Sequence, residues 1–514
     1  MKSYLIRCDP ADDGCDNVYP GDLHKCPKCG GATSLMGKDE PLDPLIYIYD
    51  IETYPNIFTC ATLHPMTGEK WLFEISDRIN MISSFHNFIR ILKSINATMV
   101  GYNNIHFDYP VIHWIFHNSD DENPITVTDI YNKAMSIISG KPQKMIWDNQ
   151  RLVKQLDLFK INHYDNKAKS TSLKALEFAM RMDSIQDLPV ELGTHLTSKE
   201  KDDLISYNWH DIEATTLFYV RCLEQINFRS ELSIKYGKDF SNMSDSKIGS
   251  EIFIMKLNAS GINTHTRANG KREVLNTVRE SVNLIDCIPN YIQFERPEFQ
   301  EVLQRFKNTT LYGDNVKALF KNFHTEIDGL EYVFGSGGQH ACRSGYFESD
   351  NDYIIVDQDV ASMYPSIAIA NGYYPEHLTT AYSPIYKELV DERKRVGKKS
   401  VMGAGLKISA NGTYGNSGNK YSTFFDLKYL LSTTLTGQLT LSMLVEQIIK
   451  IPDCIMIQTN TDGITYRIPR KYLPHVKSVT KWWEGITGLE LEDAYYARMW
   501  LSDVNNYIAE GMEL

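Results

Sequence analysis

The pattern of apolar and polar positions changes along this chain, and the first change comes near Leu45. From there to about residue 224, short apolar stretches with strand spacing alternate with stretches in which apolar residues recur every three or four positions. The first elements predicted in this region are two strands over 45–64 with a turn at 54–56, a helix over 82–95 and a strand over 97–103. Alternation of this kind indicates an α/β region.

Two further regions follow. Residues from about 226 to 345 mix helical and glycine-rich patterns, the latter over 334–345. The last region opens with a predicted strand over 353–359. Pro365 suits the first position of the next helix, and Gly372 suits its stop. The chain therefore contains at least three regions of different pattern.

The stretch 454–468 predicts a β-hairpin. Two runs with strand alternation flank the sequence Asn460-Thr461-Asp462-Gly463, and Asp-Gly between such runs is a strong hairpin signal. For a single Asp-Gly pair the ordinary interpretation is turn chemistry. The alternative is a carboxylate held out on a rigid turn, and only acids elsewhere in the chain can decide between the two.

Composition sets bounds on the class of protein. A length of 514 residues predicts roughly three or four domains, and 42% apolar with 23% charged residues is ordinary for a globular protein. The net charge of -12 gives no support to a nucleic-acid partner, although a whole-chain sum can hide a basic groove. The sequence contains no apolar run of about 18 residues, so it predicts no membrane span. Its first apolar stretch is too short and too polar for a secretory signal. We therefore expect a cytoplasmic protein.

The N-terminal cysteines predict a metal site. Cys8, Cys15, Cys26 and Cys29 have the spacing C-x6-C-x10-C-x2-C, and without a signal peptide such clustering favours metal over disulfides. Four thiolates satisfy a tetrahedral Zn²⁺, and His24 could replace one of them. In so small a segment the metal would supply the folding energy. The alternative is four unliganded thiols.

A first set of acids lies in the α/β region. Asp50 and Glu52 are two apart on a predicted strand and leave the same face, Asp108 follows another strand, and Tyr207 and Asp211 are four apart on a helix. The four carboxylates and the phenol could converge on two Mg²⁺ ions, which prefer oxygen ligands. Two such ions stabilise both the attacking and the leaving oxygen in phosphodiester cleavage. Alternatively, each acid is only a turn or cap residue.

A second set lies in the last region. Asp359 stands at the carboxyl end of the predicted strand over 353–359, where α/β sites collect catalytic groups. Asp359 and Asp462 could share a pair of divalent metals across one sheet. In that case Asp462 is a catalytic ligand on a hairpin tip and not only a turn residue.

Between these two acids lies a polar helical stripe. Lys407, Asn411, Tyr414 and Gly415 fall at i, i+4, i+7 and i+8, and a core stripe would instead be apolar. Upstream runs a cluster of basic residues, namely Arg393, Lys394, Arg395, Lys398 and Lys399. Such a run is usually only a solvated helix face. Beside the polar stripe we favour the alternative, a cradle for a triphosphate.

These motifs together resemble a known family. The sequences "DIET", "NNIHFD" and "YNWHD" resemble, in order and spacing, the DEDD proofreading exonucleases of the DNA polymerases. "DVASMYPS", "KISANGTYG" and "NTDG" resemble motifs A, B and C of family B DNA polymerases, particularly the phage-encoded kind. The resemblance covers nearly everything after residue 45. It implies an α/β and α+β multidomain fold, with a ribonuclease H-like exonuclease domain, a palm and fingers core and a small zinc-ribbon-like N-terminal module.

The resemblance also implies roles for individual residues. In the exonuclease, Asp50, Glu52, Asp108 and Asp211 would bind Mg²⁺ or Mn²⁺, and Tyr207 would orient the attacking water. In the polymerase, Asp359, Val360 and Asp462 would hold the two metals. The expected triphosphate and nucleotide contacts are Val360, Arg393, Lys398, Lys407 and Asn411. Tyr364 would pack under the sugar and exclude a 2′-hydroxyl, and Tyr414 would line the nascent base pair.

The chain departs from the family pattern in two places. Motif C of the family has an acid on each side of its Thr, whereas Asn460 takes the first position here. We expect Asn460 to be tolerated, because the second acid binds the metal. The family's mainly helical thumb should follow "DVNNY" near the end of this sequence. We therefore expect either a truncated chain or a split enzyme whose second chain carries the thumb. The short stretch from Asp359 to Lys407 predicts an ordinary primer–template enzyme and not a protein-primed one.

The resemblance also divides the chain and ranks its functions. The expected parts are a zinc module over 1–43, an exonuclease domain over 44–225, a connecting region with a Gly-Gly template element over 226–345, palm over 346–380 and 426–514, and fingers over 381–425. The leading hypothesis is a DNA polymerase with 3′→5′ proofreading that acts on primer–template DNA with dNTPs. The alternatives are a 3′→5′ exonuclease with an inactive polymerase half and a non-catalytic replisome scaffold.

Overall fold

The computed structural model divides the chain into two compact units, Met1–Asp245 and Ser246–Leu514. The described residues are 5–8, 18–20, 33–35, 43–119, 125–167, 169–268, 270–397 and 400–513. The predicted zinc ligands Cys8, Cys15, Cys26 and Cys29 lie outside them, apart from the backbone of Cys8. The zinc site therefore stays a prediction.

The first unit combines a small three-stranded sheet with a larger mixed sheet and surrounding helices. Its strands are β1 (Leu5–Cys8), β2 (Val18–Pro20), β3 (Thr33–Leu35), β4 (Ile46–Tyr54), β5 (Ile57–Leu63), β6 (Lys70–Ser76), β7 (Thr98–Gly101) and β8 (Lys154–Asp157). Its α-helices are α1 (Ile82–Ser94), α2 (Asp108–Asn118), α3 (Val127–Ile138), α4 (Leu158–Ile161), α5 (Leu173–Met180), α6 (Ser198–Arg221) and α7 (Leu223–Tyr236), and a 3₁₀ turn covers Asp148–Gln150.

The five-stranded sheet of this unit has the order β6-β5-β4-β7-β8. β5 pairs antiparallel with both β6 and β4, whereas β7 pairs parallel with β4 and β8. Because strand residues alternate between faces, Ile46 and Ile48 face one core, and Tyr49 and Ile51 face another. The central strand β4 is thus buried from both sides, as expected of a strand in a covered sheet.

The long helix α6 forms where the sequence supplies both a start signal and an apolar face. Thr197 caps it, and its hydroxyl and the Glu200 carboxylate form a reciprocal capping box with the first turn. Ile212 and Tyr219 of α6 lie in the same core as Ile48 of β4. These contacts fix one face of α6 against the face of β4 that also carries Asp50 and Glu52.

The second unit is built on a nine-stranded sheet. The strands are β9 (His265–Ala268), β10 (Lys271–Val274), β11 (Ser281–Asn283), β12 (Thr310–Tyr312), β13 (His324–Ile327), β14 (Leu330–Phe334), β15 (Gln339–Cys342), β16 (Gly345–Glu348), β17 (Tyr353–Val360), β18 (Ile455–Asn460), β19 (Gly463–Pro469), β20 (Leu491–Asp503) and β21 (Asn506–Gly511). The nine-stranded sheet is formed by β13–β21, and β9 with β10 and β11 with β12 form two separate two-stranded sheets. The α-helices are α8 (Asp245–Ala259), α9 (Pro297–Lys307), α10 (Val316–Leu319), α11 (Met363–Asn371), α12 (Tyr382–Val396), α13 (Val401–Gly415), α14 (Leu427–Ile448) and α15 (Leu473–Thr487), and 3₁₀ turns cover Leu284–Cys287, Glu376–Leu378 and Arg470–Tyr472.

This sheet is antiparallel, with the order β13-β14-β15-β18-β19-β17-β20-β16 and β21 added to β20. On β17, Ile354 and Val356 point into a large core shared with α11, α14 and α15. Ile355 points to the other face and lies against β18 and β20. Asp357 and Asp359 follow Ile355 by strand alternation, so they lie on the face opposite the helices.

The helices of the second unit have two environments. α14 is buried along nearly its whole length, as expected of a helix that carries apolar and small polar residues all round. A separate core holds Phe253 of α8, Tyr386 and Leu389 of α12, and Leu406 of α13. α12 and α13 therefore lie on this second core and carry the basic run and the polar stripe of the sequence.

Most predicted elements are confirmed, and the mixed α/β multidomain fold class is confirmed with them. The strands over 45–64 and 97–103, the helix over 82–95 and the hairpin over 454–468 all form. The placement of Pro365 at the first helical position is wrong. Ser362, at φ 48°, precedes α11, so the helix begins at Met363 and Pro365 is its third residue. None of the helices that the structure describes is long and apolar enough to cross a bilayer.

Two candidate carboxylate sites

The first carboxylate site, defined by Asp50, Glu52, Asp108 and Asp211, lies between β4 and α6 of the first unit. Asp50 and Glu52 leave β4 on one face, and Asp211 comes from α6. One carboxylate oxygen from each of these three residues lies within 4.8 Å of the others. Hard oxygen donors at this spacing fit Mg²⁺ or Mn²⁺.

Asp108 lies beside this cluster and not inside it. It is the first residue of α2 and only 5% exposed. Its Oδ1 accepts a hydrogen bond of 3.3 Å from the backbone N–H of Ile51. The residue between Asp50 and Glu52 on β4 therefore fixes the Asp108 side chain.

Asn208 supports the cluster, and sequence reasoning did not identify it. Its Nδ2 donates to Asp50 Oδ2 at 2.7 Å, and its Oδ1 accepts from the Thr59 hydroxyl at 3.0 Å. The Asn208 side chain is fully buried and stands three residues before Asp211 on α6, on the same side of the helix. The available signal was this spacing within "YNWHD", but only the sheet shows that Asn208 contacts Asp50.

A buried hydrogen-bonded pair lies next to Asp211. His210 Nε2 and Glu177 Oε2 are 3.1 Å apart, and the side chains are 6% and 2% exposed. Glu177 comes from α5, so the pair joins α5 to α6 next to the metal-type cluster. No pattern in the sequence pointed to Glu177, because its partner is 33 residues away.

The electrostatics of the first site favour bound cations. Burial, and then repulsion from neighbouring carboxylates, raises the pKa of Asp50 and of Glu52 well above the usual range. Burial raises the pKa of Asp108 to about 7 and that of Asp211 to about 7. A divalent cation would offset this repulsion and hold the acids ionised at neutral pH.

Tyr207 lies one helical turn before Asp211 on α6. Burial, and next the charge of Asp211, raises the pKa of the Tyr207 phenol. A hydrogen bond from Tyr207 in turn lowers the pKa of Asp211. The phenol is therefore neutral at physiological pH and keeps its proton for donation beside the cluster.

The second carboxylate site, defined by Asp359 and Asp462, lies on the open face of the sheet in the second unit. Asp359 is the last residue but one of β17 and is paired with Gly463 of β19. A Cβ on Gly463 would lie 1.8 Å from Asp359 Oδ1. Position 463 must therefore be glycine for the Asp359 carboxylate to occupy its place.

The hairpin tip that carries Asp462 consists of Thr461 and Asp462. Thr461 has φ 59°, and its N–H donates to the Gln339 carbonyl at 3.1 Å. The Asp462 carbonyl accepts from Val360 N–H at 2.8 Å. The tip is thus tied by its backbone to β15 on one side and to β17 on the other, while the Asp462 side chain is exposed.

Both acids of the second site have raised pKa values, and the charge of Asp462 contributes to the shift of Asp359. Although both side chains reach the surface, partial burial, and next the charges of Asp357 and Asp462, raises the pKa of Asp359 to about 6. Partial burial also raises the pKa of Asp462. Asp357, which sequence reasoning did not single out, accepts hydrogen bonds from the hydroxyls of Thr465 and Tyr496. A cation between Asp359 and Asp462 would relieve their repulsion.

Asn460, the last residue of β18, makes its own contact. Its Nδ2 donates to the Val504 carbonyl at 3.2 Å, across from the start of the β20–β21 turn. Val360, predicted as a metal and nucleotide contact, has its side chain 3% exposed in the large core. Only backbone atoms of Val360 are therefore available to the second site.

The aromatic residues predicted for this site contact each other. The rings of Tyr364 on α11 and Tyr414 on α13 stack with 3.8 Å between centroids and 15° between planes. The Tyr364 hydroxyl donates to the Gly337 carbonyl in the glycine-rich stretch. The Tyr414 hydroxyl lies 2.7 Å from Thr434 Oγ1 of α14. The stack thus joins three helices to the glycine-rich turn.

The predicted cationic contacts lie on α12 and α13. Lys407 and Asn411 are exposed on α13, so the predicted stripe is helical, and its Tyr414 packs on Tyr364. Arg393 of α12 is half-buried, and its Nη1 donates to Ser362 Oγ at 3.1 Å. Lys398 lies outside the described residues. The structure therefore describes three of the four predicted polar contacts, and one of them, Arg393, reaches the turn that follows Asp359.

No protein-family model and no curated protein matches this chain. Among solved structures, the chain is similar to the family B DNA polymerase from the hyperthermophilic archaeon Pyrobaculum calidifontis, with a TM-score of 0.49 and 16% sequence identity. The match covers 91% of this chain and 59% of that one. The chain thus spans less than two thirds of the length of that polymerase.

Proposed function

We propose that this protein is a template-directed DNA polymerase with a 3′→5′ proofreading exonuclease. The observation that carries the proposal is the placement of Asp359 and Asp462, from motifs about 100 residues apart, at one end of one sheet: Asp359 on β17 pairs with Gly463 of β19, and Asp462 is the turn residue directly before Gly463. A second, independent set of acids lies in the other unit. Two metal-type sites in separate units support two phosphoryl-transfer activities better than they support a scaffold, which needs neither set.

The polymerase would use the second carboxylate site. Asp359, Asp462 and the backbone of Val360 would hold two Mg²⁺ or Mn²⁺ ions, which would supply Lewis-acid activation of the primer 3′-hydroxyl and charge neutralisation at the leaving pyrophosphate. Lys407 and Arg393 would bind the triphosphate through their charges. Phosphoryl transfer of this kind requires mainly positioning and charge stabilisation from the protein.

Nucleotide selection would fall to the other predicted contacts. The exposed Asn411 stands one turn after Lys407 on α13 and would meet the same incoming dNTP. Tyr364 is held by its stack on Tyr414 and by its hydrogen bond to Gly337. A ring fixed in this way can exclude a ribose 2′-hydroxyl by steric contact. Lys398 remains a predicted triphosphate contact.

The exonuclease would use the first carboxylate site, in a ribonuclease H-like domain. Asp50, Glu52, Asp108 and Asp211 would hold the metals, which would supply Lewis-acid activation of water and charge stabilisation at the leaving 3′-oxygen. The neutral phenol of Tyr207 would orient the attacking water. The mixed sheet with helices on both sides supports this domain assignment, because it places acids from a strand and a helix on one face.

A 3′→5′ exonuclease without polymerase activity is the second candidate. It is favoured by one observation: among the residues that the structure describes, only Asp50, Glu52 and Asp211 form a cluster of three possible ligands. The second carboxylate site offers two acids and would depend on DNA and dNTP to complete it.

Primer extension distinguishes these candidates. The purified chain is mixed with a labelled primer–template, Mg²⁺ and four dNTPs, and a parallel reaction omits the dNTPs. We expect longer products in the first reaction, shorter products in the second, and neither when EDTA replaces Mg²⁺. Shortening in both reactions would support the exonuclease alone, and unchanged primer in both would contradict both candidates.

A zinc-to-protein ratio near one in elemental analysis would support the predicted Zn²⁺ site at the N-terminal cysteines.

A further inference from the structure

The hairpin tip beside Asp462 has an unfavourable backbone conformation. Thr461 occupies the left-handed region with φ 59°, although its β-branched side chain disfavours that region. Two-residue hairpin turns usually place Gly, Asn or Asp at such positions. A strained residue of this kind persists only where its surroundings fix it, and such residues cluster at functional sites.

The contacts of Thr461 come from one short segment. Its N–H donates to the Gln339 carbonyl at 3.1 Å, and its Oγ1 lies 2.9 Å from His340 Nε2. A Cβ on Gly338 would lie 3.0 Å from Thr461 Cα, so the backbones are in close contact there. Three consecutive residues, Gly338 to His340, therefore surround the strained residue.

His340 is the side chain that can hold this conformation. It stands on β15 directly opposite Asn460 of β18, and its side chain is half-buried there. The bond from His340 to Thr461 Oγ1 is made only when the side chain of residue 461 points toward β15. Rotation of Thr461 into an ordinary backbone conformation would redirect both this side chain and the Asp462 carboxylate that follows it.

We infer that His340 is a positioning residue of the second carboxylate site, which holds Thr461 in its strained conformation and thereby directs Asp462 toward Asp359. This inference rests on the proposed polymerase activity. His340 makes no contact with the reacting groups in this role. It acts through one side-chain hydrogen bond on the turn that presents a metal ligand, much as partners of metal-binding histidines orient those ligands elsewhere.

The test compares four variants of the full chain with the parent. His340→Ala removes the bond, His340→Gln retains an amide that can reach the hydroxyl, and Thr461→Val keeps the β-branch but removes Oγ1. In the double variant His340→Ala/Thr461→Gly, the residue at the turn needs no support, because Gly adopts positive φ freely. His324→Ala is the matched control, since His324 lies on the same sheet and pairs with the exposed Glu331.

Three quantities are measured for each variant: the rate of primer extension as a function of Mg²⁺ concentration, the rate of degradation without dNTPs, and hydrogen exchange of the peptide 455–468. We expect His340→Ala and Thr461→Val each to slow extension by about 10- to 100-fold, with a higher Mg²⁺ requirement and faster exchange at the tip. Degradation should stay at the parent rate, which shows that the first unit is intact, and recovery of extension in the double variant shows that the second unit folds without His340. The double variant and His340→Gln should recover most of the lost extension.

Parent-like extension, Mg²⁺ dependence and exchange in His340→Ala would overturn the inference. A double variant that extends primers no faster than His340→Ala would also overturn it. Glycine at residue 461 can restore extension only if the role of His340 is to hold that residue at positive φ. If the parent itself fails to extend primers, the proposed polymerase function fails. Hydrogen exchange at the tip then decides the role of His340 by itself, and unchanged exchange in His340→Ala would refute it.

Discussion

The two carboxylate sites hold their acids by different means. In the first site Asp50, Glu52 and Asp211 are half-buried and Asp108 is buried. Hydrogen bonds made directly to the carboxylates fix two of these acids, because the Asn208 side chain donates to Asp50 and the Ile51 N–H of β4 donates to Asp108. In the second site Asp359 and Asp462 reach solvent, and backbone geometry fixes them through a strand end and a strained turn. A half-buried cluster is complete within the protein and needs only cations, whereas an exposed pair is open on one side to substrate.

This difference predicts how each site fails. Loss of a buried supporting side chain should damage the first site while leaving the fold largely intact. The second site should be sensitive to backbone changes that barely alter stability, because a small rotation of its turn moves a carboxylate.

The largest expected effect comes from removing one ligand from each site in turn. Asp462→Ala should reduce extension by about 1000-fold or more and leave degradation unchanged, since a metal ligand contributes several kcal/mol to the transition state. Asp211→Ala should do the reverse. Both rates are measured by gel on one labelled primer–template.

Asp352→Asn is the matched control, because Asp352 is an exposed acid just before the other end of β17. It should leave both rates at the parent value. A simultaneous loss of extension and degradation in Asp462→Ala would contradict the assignment of two independent sites.

The next effect tests the backbone of the second site. Gly463→Ala places a methyl group where Asp359 Oδ1 lies, so the carboxylate must leave its present position. We expect extension to fall by about 100-fold, while the melting temperature changes little, because the displaced atom is the end of a flexible side chain.

Gly485→Ala provides the comparison. Gly485 lies in helix α15 with open space around it, so alanine should stabilise the protein by about 0.5–1 kcal/mol and leave extension unchanged. Parent-like extension by Gly463→Ala would show that the carboxylate of Asp359 does not need its present position.

Sequence reasoning reached the local elements and the acids on them, and it missed what tertiary pairing adds. The alternation around Asp50 and Glu52 and the helical spacing of Tyr207 and Asp211 are local, so they could be predicted. The hairpin was predicted from Asp-Gly, yet its turn residues are Thr461 and Asp462. Position 463 requires glycine because the Asp359 carboxylate of β17 occupies the space of a Cβ there. This requirement follows only from the pairing of β17 with β19.

The missed residues share this cause. Asn208, Glu177 and His340 each act on a partner far away in sequence. Apart from the spacing of Asn208 from Asp211, no local pattern distinguishes them from ordinary polar residues. The misplacement of Pro365 has a related origin. A proline rule assumes an ordinary helix start, whereas Ser362 adopts a left-handed conformation there, and Arg393 of a later helix donates to its hydroxyl.

A smaller effect tests the side-chain support of the first site. Asn208→Ala leaves Asp50 without its donor, and we expect degradation to slow by about 10- to 100-fold, as for other residues that orient metal ligands. Extension should keep the parent rate. Asn118→Ala, at the exposed end of α2, serves as the control, and equal degradation by the two variants would remove Asn208 from the site.

The smallest expected effect is on the melting temperature. It tests how much the ionised acids of the first site destabilise the fold when no metal is bound. Burial raises the pKa of Asp108 to about 7, compared with about 4 in an unfolded chain. Between these values the folded protein binds the extra proton, so this group lowers stability as the pH rises from about 4 to about 7. Asp108→Asn removes the titrating group. In EDTA the variant should therefore melt above the parent at pH 8, by about 2–6 °C, and lose this advantage at pH 5.

Mg²⁺ should narrow this difference in melting temperature at pH 8, because a cation that binds the folded carboxylates stabilises the parent more than the variant. Asp202→Asn, an exposed acid on α6, controls for a general effect of charge removal. A difference in melting temperature between Asp108→Asn and the parent that does not depend on pH would mean that Asp108 is ionised in the metal-free fold, and the half-buried cluster would then resemble the exposed pair more closely than its geometry indicates.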